Sequence, residues 1–325
     1  CDEGRVMDDL SRLLRDQDGV VARSQVLAAG LTPTEIARAL RRGRLVAHLP
    51  GVYVEHNGPL TLQQRRQVAV RHAWPAALCL DSALHAVTGP SPRDRPERVI
   101  HVAVDRHRHI APVPGIVVHR MTGFAERVQW AASPPRIRYD DSVLDVAAGA
   151  ADDLAAVAAL ADAVGSRRTT AARLRARLDQ RARVPRRAWL AAVLDDVAHG
   201  TCSVLERGYQ TRVVRPHRLP SGILQERRTM AGGAVVRDVA LPHLRTYVEL
   251  DGQMFHADAT ARSRDLDRDL EAAAEQSALT LRLGYVQVFG HACWTADRLA
   301  RVLLGRGWTG TPYQCPQCGG SLQAG

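Results

Sequence analysis

Apolar residues recur at helical spacing near the start of the chain, at Met7, Leu10, Leu13 and Leu14, until Asp18-Gly19 breaks the pattern. A second short run, Ser24 to Ala29, stops at Gly30. The third is the best defined. In Leu31-Thr32-Pro33-Thr34-Glu35-Ile36, Thr32 is placed to cap the helix, Pro33 to open it and Glu35 to return the capping bond, while Leu31 staples to Ile36. Gly43 closes this helix. Ile36 and Leu40 then face inward, and Thr34, Arg38, Arg41 and Arg42 lie on its other faces. Leu45 to Leu49 and Val52 to Glu55 read as a hairpin turning at Pro50-Gly51.

Helix, helix, turn, helix, hairpin is the order of a winged helix-turn-helix, whose third helix enters a major groove while the wing touches phosphate. Thr34, Arg38, Arg41, Arg42 and Arg44 are the candidate DNA contacts. Further on, residues 89–96 are rich in Pro, Ser and Arg and read as a linker. Val99 to Val104 and Gly115 to His119 read as strands, with His101, His107, His109 and His119 around them. No histidine pair at helical spacing supports a metal there. Ile137 to Ala148 starts a helix, and Ala147 to Leu178 is alanine-rich and helical with a break near Gly165-Ser166. Trp189 to Val197 and Ser203 to Val214 read as helices. Ala234 to Leu241 and Thr246 to Gly252 then read as strands joined through Pro242-His243, an antiparallel hairpin. A helix over Asp265 to Leu279 and a strand over Tyr285 to Phe289 follow.

The expected class is α/β (α+β, multi-domain). It comprises a winged helix over 7–89, an α/β spacer over 90–184 and a mixed sheet flanked by helices over 185–310. A flexible tail over 311–325 completes it.

The predicted hairpin brings Asp238 alongside Glu249, and Asp251 shares a face with Glu249. Carboxylates so placed raise one another's pKa unless a cation lies among them, which points to a divalent-metal site. A solvated acidic strand face is the plain alternative. Composition adds a formal charge of +10, which favours a polyanionic partner. No apolar run reaches the roughly 20 residues of a membrane helix, and no basic amphipathic helix with bulky aromatics suits a bilayer surface, so nucleic acid is the expected polyanion. Asp2, Glu3, Asp8 and Asp9 are the wrong start for a signal peptide, so a cytoplasmic location is expected, and Met7 would be a natural initiator. Of six cysteines only Cys315-Pro-Gln-Cys318 are close together, half of a zinc site. A remote pair such as His291 with Cys293 would complete it, but the last dozen residues read as disordered, so no zinc is expected at Cys315 and Cys318.

Two resemblances sharpen this reading. Asp-Gly-Val-Val-Ala-Arg-Ser-Gln-Val at 18–26, Arg41-Arg-Gly-Arg44, Leu49-Pro-Gly-Val-Tyr53 and Leu80-Asp-Ser-Ala-Leu-His85 resemble the N-terminal domain of AbiEi-type (type IV toxin–antitoxin) antitoxins. The resemblance covers about Met7 to Gly89 and implies a DNA-binding, transcription-regulating module; a cognate toxin or a second copy of the chain is left open as a partner. Asp238, then Val-Glu249-Leu-Asp251-Gly252 with His256 after it, resembles the PD-(D/E)XK nucleases, and among them the very-short-patch-repair-like (Vsr-like) endonuclease domains. Ser203-Val-Leu-Glu206 upstream and Arg268-Asp269 downstream agree, over about Cys202 to Trp308. That resemblance implies Mg²⁺ (or Mn²⁺) held by Asp238, Glu249 and the Leu250 carbonyl, with Asp251 or His256 acting on the attacking water and Glu206 completing the shell through water. Arg264 and Arg268 would approach phosphate. The usual lysine is replaced by Asp251, and all 44 basic residues of this chain are arginine, so the lysine's role falls to a carboxylate, a histidine or the metal. The alternative is a non-catalytic regulator or antitoxin with a degenerate nuclease fold.

Overall fold

The computed structural model describes residues 2–89, 97–199, 203–230, 233–251 and 278–318. The chain divides into two compact units, Cys1–Asp145 and Val146–Gly325. The residues expected as a spacer are thereby shared between the two units, those before Val146 falling in the first.

The first unit opens with α1 (Asp2–Asp16), β1 (Val20–Ala22), α2 (Arg23–Ala28), α3 (Pro33–Arg41), β2 (Val46–Leu49) and β3 (Val52–Val54). The capping box of α3 forms as its sequence requires. Thr32 Oγ1 accepts from the Glu35 amide at 3.3 Å, and Glu35 Oε2 accepts from the Thr32 amide at 2.7 Å. Ile36 is fully buried and clusters with Leu10, Val21, Val26, Leu31, Leu45 and Tyr53, with Leu40 packed against them. β1 adds to the wing, giving an antiparallel sheet in the order β1-β3-β2. This is the expected winged helix-turn-helix with one strand more than its sequence suggests.

The unit continues through α4 (Leu62–His72), β4 (Ala77–Leu78), α5 (Leu80–Thr88), β5 (Ile100–Asp105), β6 (Ile116–Met121), α6 (Phe124–Arg127), β7 (Val128–Gln129), β8 (Arg136–Ile137) and α7 (Tyr139–Gly149). Its second sheet runs β6-β5-β4-β8-β7. Leu78, Ile100, Val102 and Val104 form a dry core with Ala69, Val70 and Ala73 of the α4 region. The Glu97 side chain is largely buried, accepting from Arg66 at 2.5 Å and from the Ser82 hydroxyl. The two strands predicted around the histidines pair in parallel, as β5 and β6. His101 Nδ1 and His119 Nε2 meet at 2.9 Å, whereas His107 and His109 are exposed.

The second unit begins with α8 (Asp153–Gly165) and α9 (Ala171–Asp179), the alanine-rich pair broken where expected. α10 (Arg187–His199) and α11 (Ser203–Gly208) follow, and a π-helical stretch, Tyr209–Val214, leads into α12 (Arg215–His217). β9 (Ile223–Met230), β10 (Gly233–Leu241), β11 (Thr246–Leu250) and β12 (Leu279–Leu283) make a mixed sheet in the order β12-β11-β10-β9. β9, β10 and β11 are antiparallel, and β12 is parallel to β11. The Pro242-His243 turn is the short helical link Pro242–Leu244 of the predicted hairpin.

Two expectations fail here. Leu279 is not the end of a helix but the start of β12, and the strand expected over Tyr285 to Phe289 is a π-helical turn, Val286–Gly290, leading to α13 (Ala292–Gly305). Its alternating Val-Gln-Val-Phe pattern is satisfied differently: Val288 is fully buried, and Phe289 lies against Gly208, where an added Cβ would stand 2.4 Å from the ring. The tail after 311 is also packed as far as Cys318. The Tyr313 amide donates to the His217 carbonyl at 2.9 Å, and Cys315 and Cys318 are buried. No helix among the described residues is long and apolar enough to cross a membrane.

Candidate functional site

The acidic site of the second unit is built where the mixed sheet meets α11. Asp196, buried on α10, accepts from the Ser203 hydroxyl and the Val204 amide, both at 2.7 Å. A carboxylate on the free amides at a helix start is the favoured placement for both charge and hydrogen bonding. It fixes the first turn of α11, the turn that carries Glu206. Gly208, one turn-fraction later, lets that helix approach Phe289 too closely for any side chain.

Glu206 then meets the sheet. The Gln225 side-chain amide donates to Glu206 Oε1 at 2.7 Å and reaches Asp238 Oδ1 at 3.4 Å. Asp238 Oδ2 accepts from the Leu250 amide at 2.7 Å, so the carboxylate of β10 is held against the backbone of β11. The β9–β10 register passes from Arg237↔Glu226 to Val239↔Leu224, which sets Gln225 opposite Asp238. Gln225 has φ +51°, a left-handed conformation uncommon for a residue with a side chain. Strained backbone of this kind concentrates at functional sites. Burial pushes the Glu206 carboxyl above its ordinary value, and the negative charges of Asp238 and Asp196 push it further.

Glu249 has a different environment. Its Oε1 accepts from Arg237 Nη1 at 3.0 Å, and Arg237 is buried, its guanidinium also 4.8 Å from the centre of the Tyr247 ring. Asp238 and Glu249 are thus neighbours in the ladder, but one is bound to amides and the other to a cation. Sequence reasoning missed Gln225 and Arg237. An arginine within an apolar strand, next to a candidate ligand, was the available signal for the second. Asp251 lies at the end of β11, its amide donating to the Leu283 carbonyl at 2.9 Å. His256, Arg264 and Arg268 lie outside the described residues. Leu250 meets Asp238 through its N–H; its expected role through the carbonyl rests on the resemblance alone.

Glu206, Asp238 and Glu249 offer oxygen donors of the kind a hard divalent cation takes, but among the described residues the three do not gather into one metal-binding group, and Glu249 is held by Arg237.

In the first unit, Thr34, Arg38, Arg41, Arg42 and Arg44 are all exposed. They sit on α3 and the loop into the wing. Arg41, Arg42 and Arg44 form no ion pair among the described residues. Hydrogen bonds from Thr32 hold the Glu35 carboxyl below its ordinary value, with Arg38 a smaller contributor.

Residues 8–56 match the family model described as "Transcriptional regulator, AbiEi antitoxin". The N-terminal domain is therefore of the AbiEi antitoxin type, a DNA-binding regulatory module. The crystal structure of the RV2827C protein from Mycobacterium tuberculosis is similar over 70% of this chain and 88% of that chain, at 19% identity and a TM-score of 0.38. No curated protein matches the chain.

Proposed function

We propose that the chain binds DNA through its AbiEi-type winged helix and hydrolyses a phosphodiester bond at the Glu206–Asp238 site with Mg²⁺ or Mn²⁺. The observation that carries the catalytic part is the convergence of Glu206 and Asp238 on one strained glutamine at the meeting of α11 and the sheet. A structural acid inside a protein is matched by partners of its own, as Glu97 is by Arg66 and Asp196 by Ser203 and the Val204 amide. Here two acids share one side-chain amide.

Asp238 and Glu206 would hold the metal, with Glu249 joining from β11. When bound, the metal supplies Lewis-acid stabilisation of charge on the phosphate and a lower pKa for the attacking water. The Leu250 amide fixes the direction of the Asp238 carboxylate. Gln225 holds Glu206 in line with it. Asp251, or His256, takes the proton from water. The exposed arginines on and after α3 supply salt-dependent attraction to DNA phosphate, and Thr34 with Arg38 reaches base edges.

The second reading is a regulator whose second unit does no chemistry, with a cognate toxin or another copy as its partner. The Arg237–Glu249 ion pair favours it, because a ligand carboxylate already neutralised by a buried guanidinium gains less from a metal. Incubating the purified chain with supercoiled and mismatched DNA decides between them. Metal-dependent nicking that disappears in Asp238→Ala supports hydrolysis. DNA binding without cleavage under Mg²⁺ and under Mn²⁺ supports the regulator.

A further inference from the structure

The last strand-to-helix connection and the tail bring together four side chains that the nuclease reading does not use. Cys293 lies in the first turn of α13, Cys315 and Cys318 in the tail, and His217 at the end of α12. One ligand atom from each lies within 4.8 Å of every other. Cys293 Sγ is 3.6 Å from Cys315 Sγ, Cys315 Sγ is 3.5 Å from Cys318 Sγ, and Cys318 Sγ is 3.4 Å from His217 Nε2.

These separations discriminate among the chemistries open to cysteine. A disulfide needs its sulfurs about 2.05 Å apart, so none is bonded to another here. A tetrahedron with Zn–S near 2.3 Å and Zn–N near 2.05 Å has edges of about 3.7 Å between sulfurs and about 3.6 Å between sulfur and nitrogen. The observed separations lie close to those edges. The imidazole is also set for the task. His217 Nδ1 lies 2.8 Å from the Val213 carbonyl and donates its proton there, so the lone pair is on Nε2, the atom that faces Cys318. A backbone carbonyl on the far nitrogen is the usual means by which proteins orient a metal-binding histidine. Cys293 sits in the first turn of a 14-residue helix, which fixes its position beside the tail. The Cys315 carbonyl accepts from the Cys318 amide at 3.0 Å, closing the tight turn that turns both sulfurs inward.

We infer that His217, Cys293, Cys315 and Cys318 bind one Zn²⁺ in a closed Cys₃His site. Four protein ligands leave no position for substrate, so the metal is structural. The expectation of no zinc at Cys315-x-x-Cys318 rested on a disordered tail; the tail is described as far as Cys318, and the second pair comes from His217 and Cys293, not from His291. The site ties the tail and α13 to the end of the helical run that begins with Ser203 and carries Glu206. Arg218 over the Tyr313 ring, 4.3 Å from its centre, and the Tyr313 amide on the His217 carbonyl extend the same junction. This inference is independent of the phosphodiesterase reading.

The test is metal analysis of the purified full chain, beside Cys79→Ser and the double variant Cys315→Ser/Cys318→Ser. The expected result is one zinc per chain in the wild type and in Cys79→Ser, and at least a tenfold loss in the double variant. Cobalt replacement gives the intense visible bands of a tetrahedral site with sulfur-to-cobalt charge transfer. Should the double variant fail to fold, titrating the native chain with a thiol-modifying reagent in the presence of a chromogenic chelator replaces it, and release of one zinc per chain is then expected. Native chain with substoichiometric zinc, or with Cys315 and Cys318 joined in a disulfide on mass analysis, overturns the inference.

Discussion

The winged helix and the acidic end of the mixed sheet are both collections of like charge, and they differ in what the fold does about it. In the first, Arg41, Arg42 and Arg44 stand in solvent with no ion pair among the described residues. Water screens them, so their mutual repulsion is cheap, and no carboxylate of the described residues competes with a polyanion for them. In the second, Asp238, Glu206 and Glu249 are only partly exposed, and burial makes each unmatched charge costly. The fold answers with amides for two of them and a buried arginine for the third. Exposed charge can wait for its ligand; half-buried charge must be held ready by named neighbours, and those neighbours tell the acids apart.

Removing a ligand should have the largest effect. Asp238→Ala is expected to lower metal-dependent cleavage about a thousandfold, the equivalent of several kcal/mol of transition-state stabilisation, with DNA affinity unchanged; nicking rates beside gel-shift titrations check both. Breaking the ion pair comes next. Glu249→Ala leaves Arg237 buried without its partner and is expected to cost about 3 kcal/mol in denaturant unfolding, whereas Arg237→Met with Glu249→Met recovers most of that loss. If Glu249→Ala costs no stability, the contrast drawn between Glu249 and Asp238 fails. The same result warns that lost cleavage in Glu249→Ala does not by itself identify a metal ligand.

On the arginine side, Arg41→Ala and Arg42→Ala should each reduce the dependence of log affinity on log salt by about one, with no change in the unfolding midpoint. The smallest effect belongs to the helix that carries them. Thr32→Ala removes the cap of α3 and is expected to cost about 1 kcal/mol. The sign of its pH dependence follows from Glu35. Its carboxyl is held below the ordinary value by Thr32, so the contribution is present above the unfolded-state pKa and is lost as pH falls through the lowered folded value. The gap between wild type and Thr32→Ala should therefore narrow in acid, as read from thermal unfolding at several pH values.

Local signals carried the first unit well. Thr32, Pro33, Glu35 and Ile36 predict α3 because a capping box is settled within one turn, and Pro50-Gly51 predicts the wing for the same reason. The Asp238–Glu249 hairpin was legible from two apolar runs and a short turn. What failed depended on distant partners. Val286-Gln-Val-Phe289 alternates like a strand, yet it forms a π-helical turn that buries Val288, sets Phe289 against Gly208 and leaves Val286 exposed. Arg237 as the partner of Glu249 required the ladder to be known. Of the four sulfur and nitrogen ligands, Cys293, Cys315 and Cys318 were legible as candidates; His217 was not, because it lies 101 residues from Cys318, outside any compact motif.

The most direct test of the central claim is nicking of supercoiled DNA by the full chain in Mn²⁺, with Asp238→Ala matched for DNA affinity. The account predicts nicked product from the wild type, abolished by chelator and by the substitution. Equal product from both proteins, or none from a wild type that binds the DNA, would contradict it.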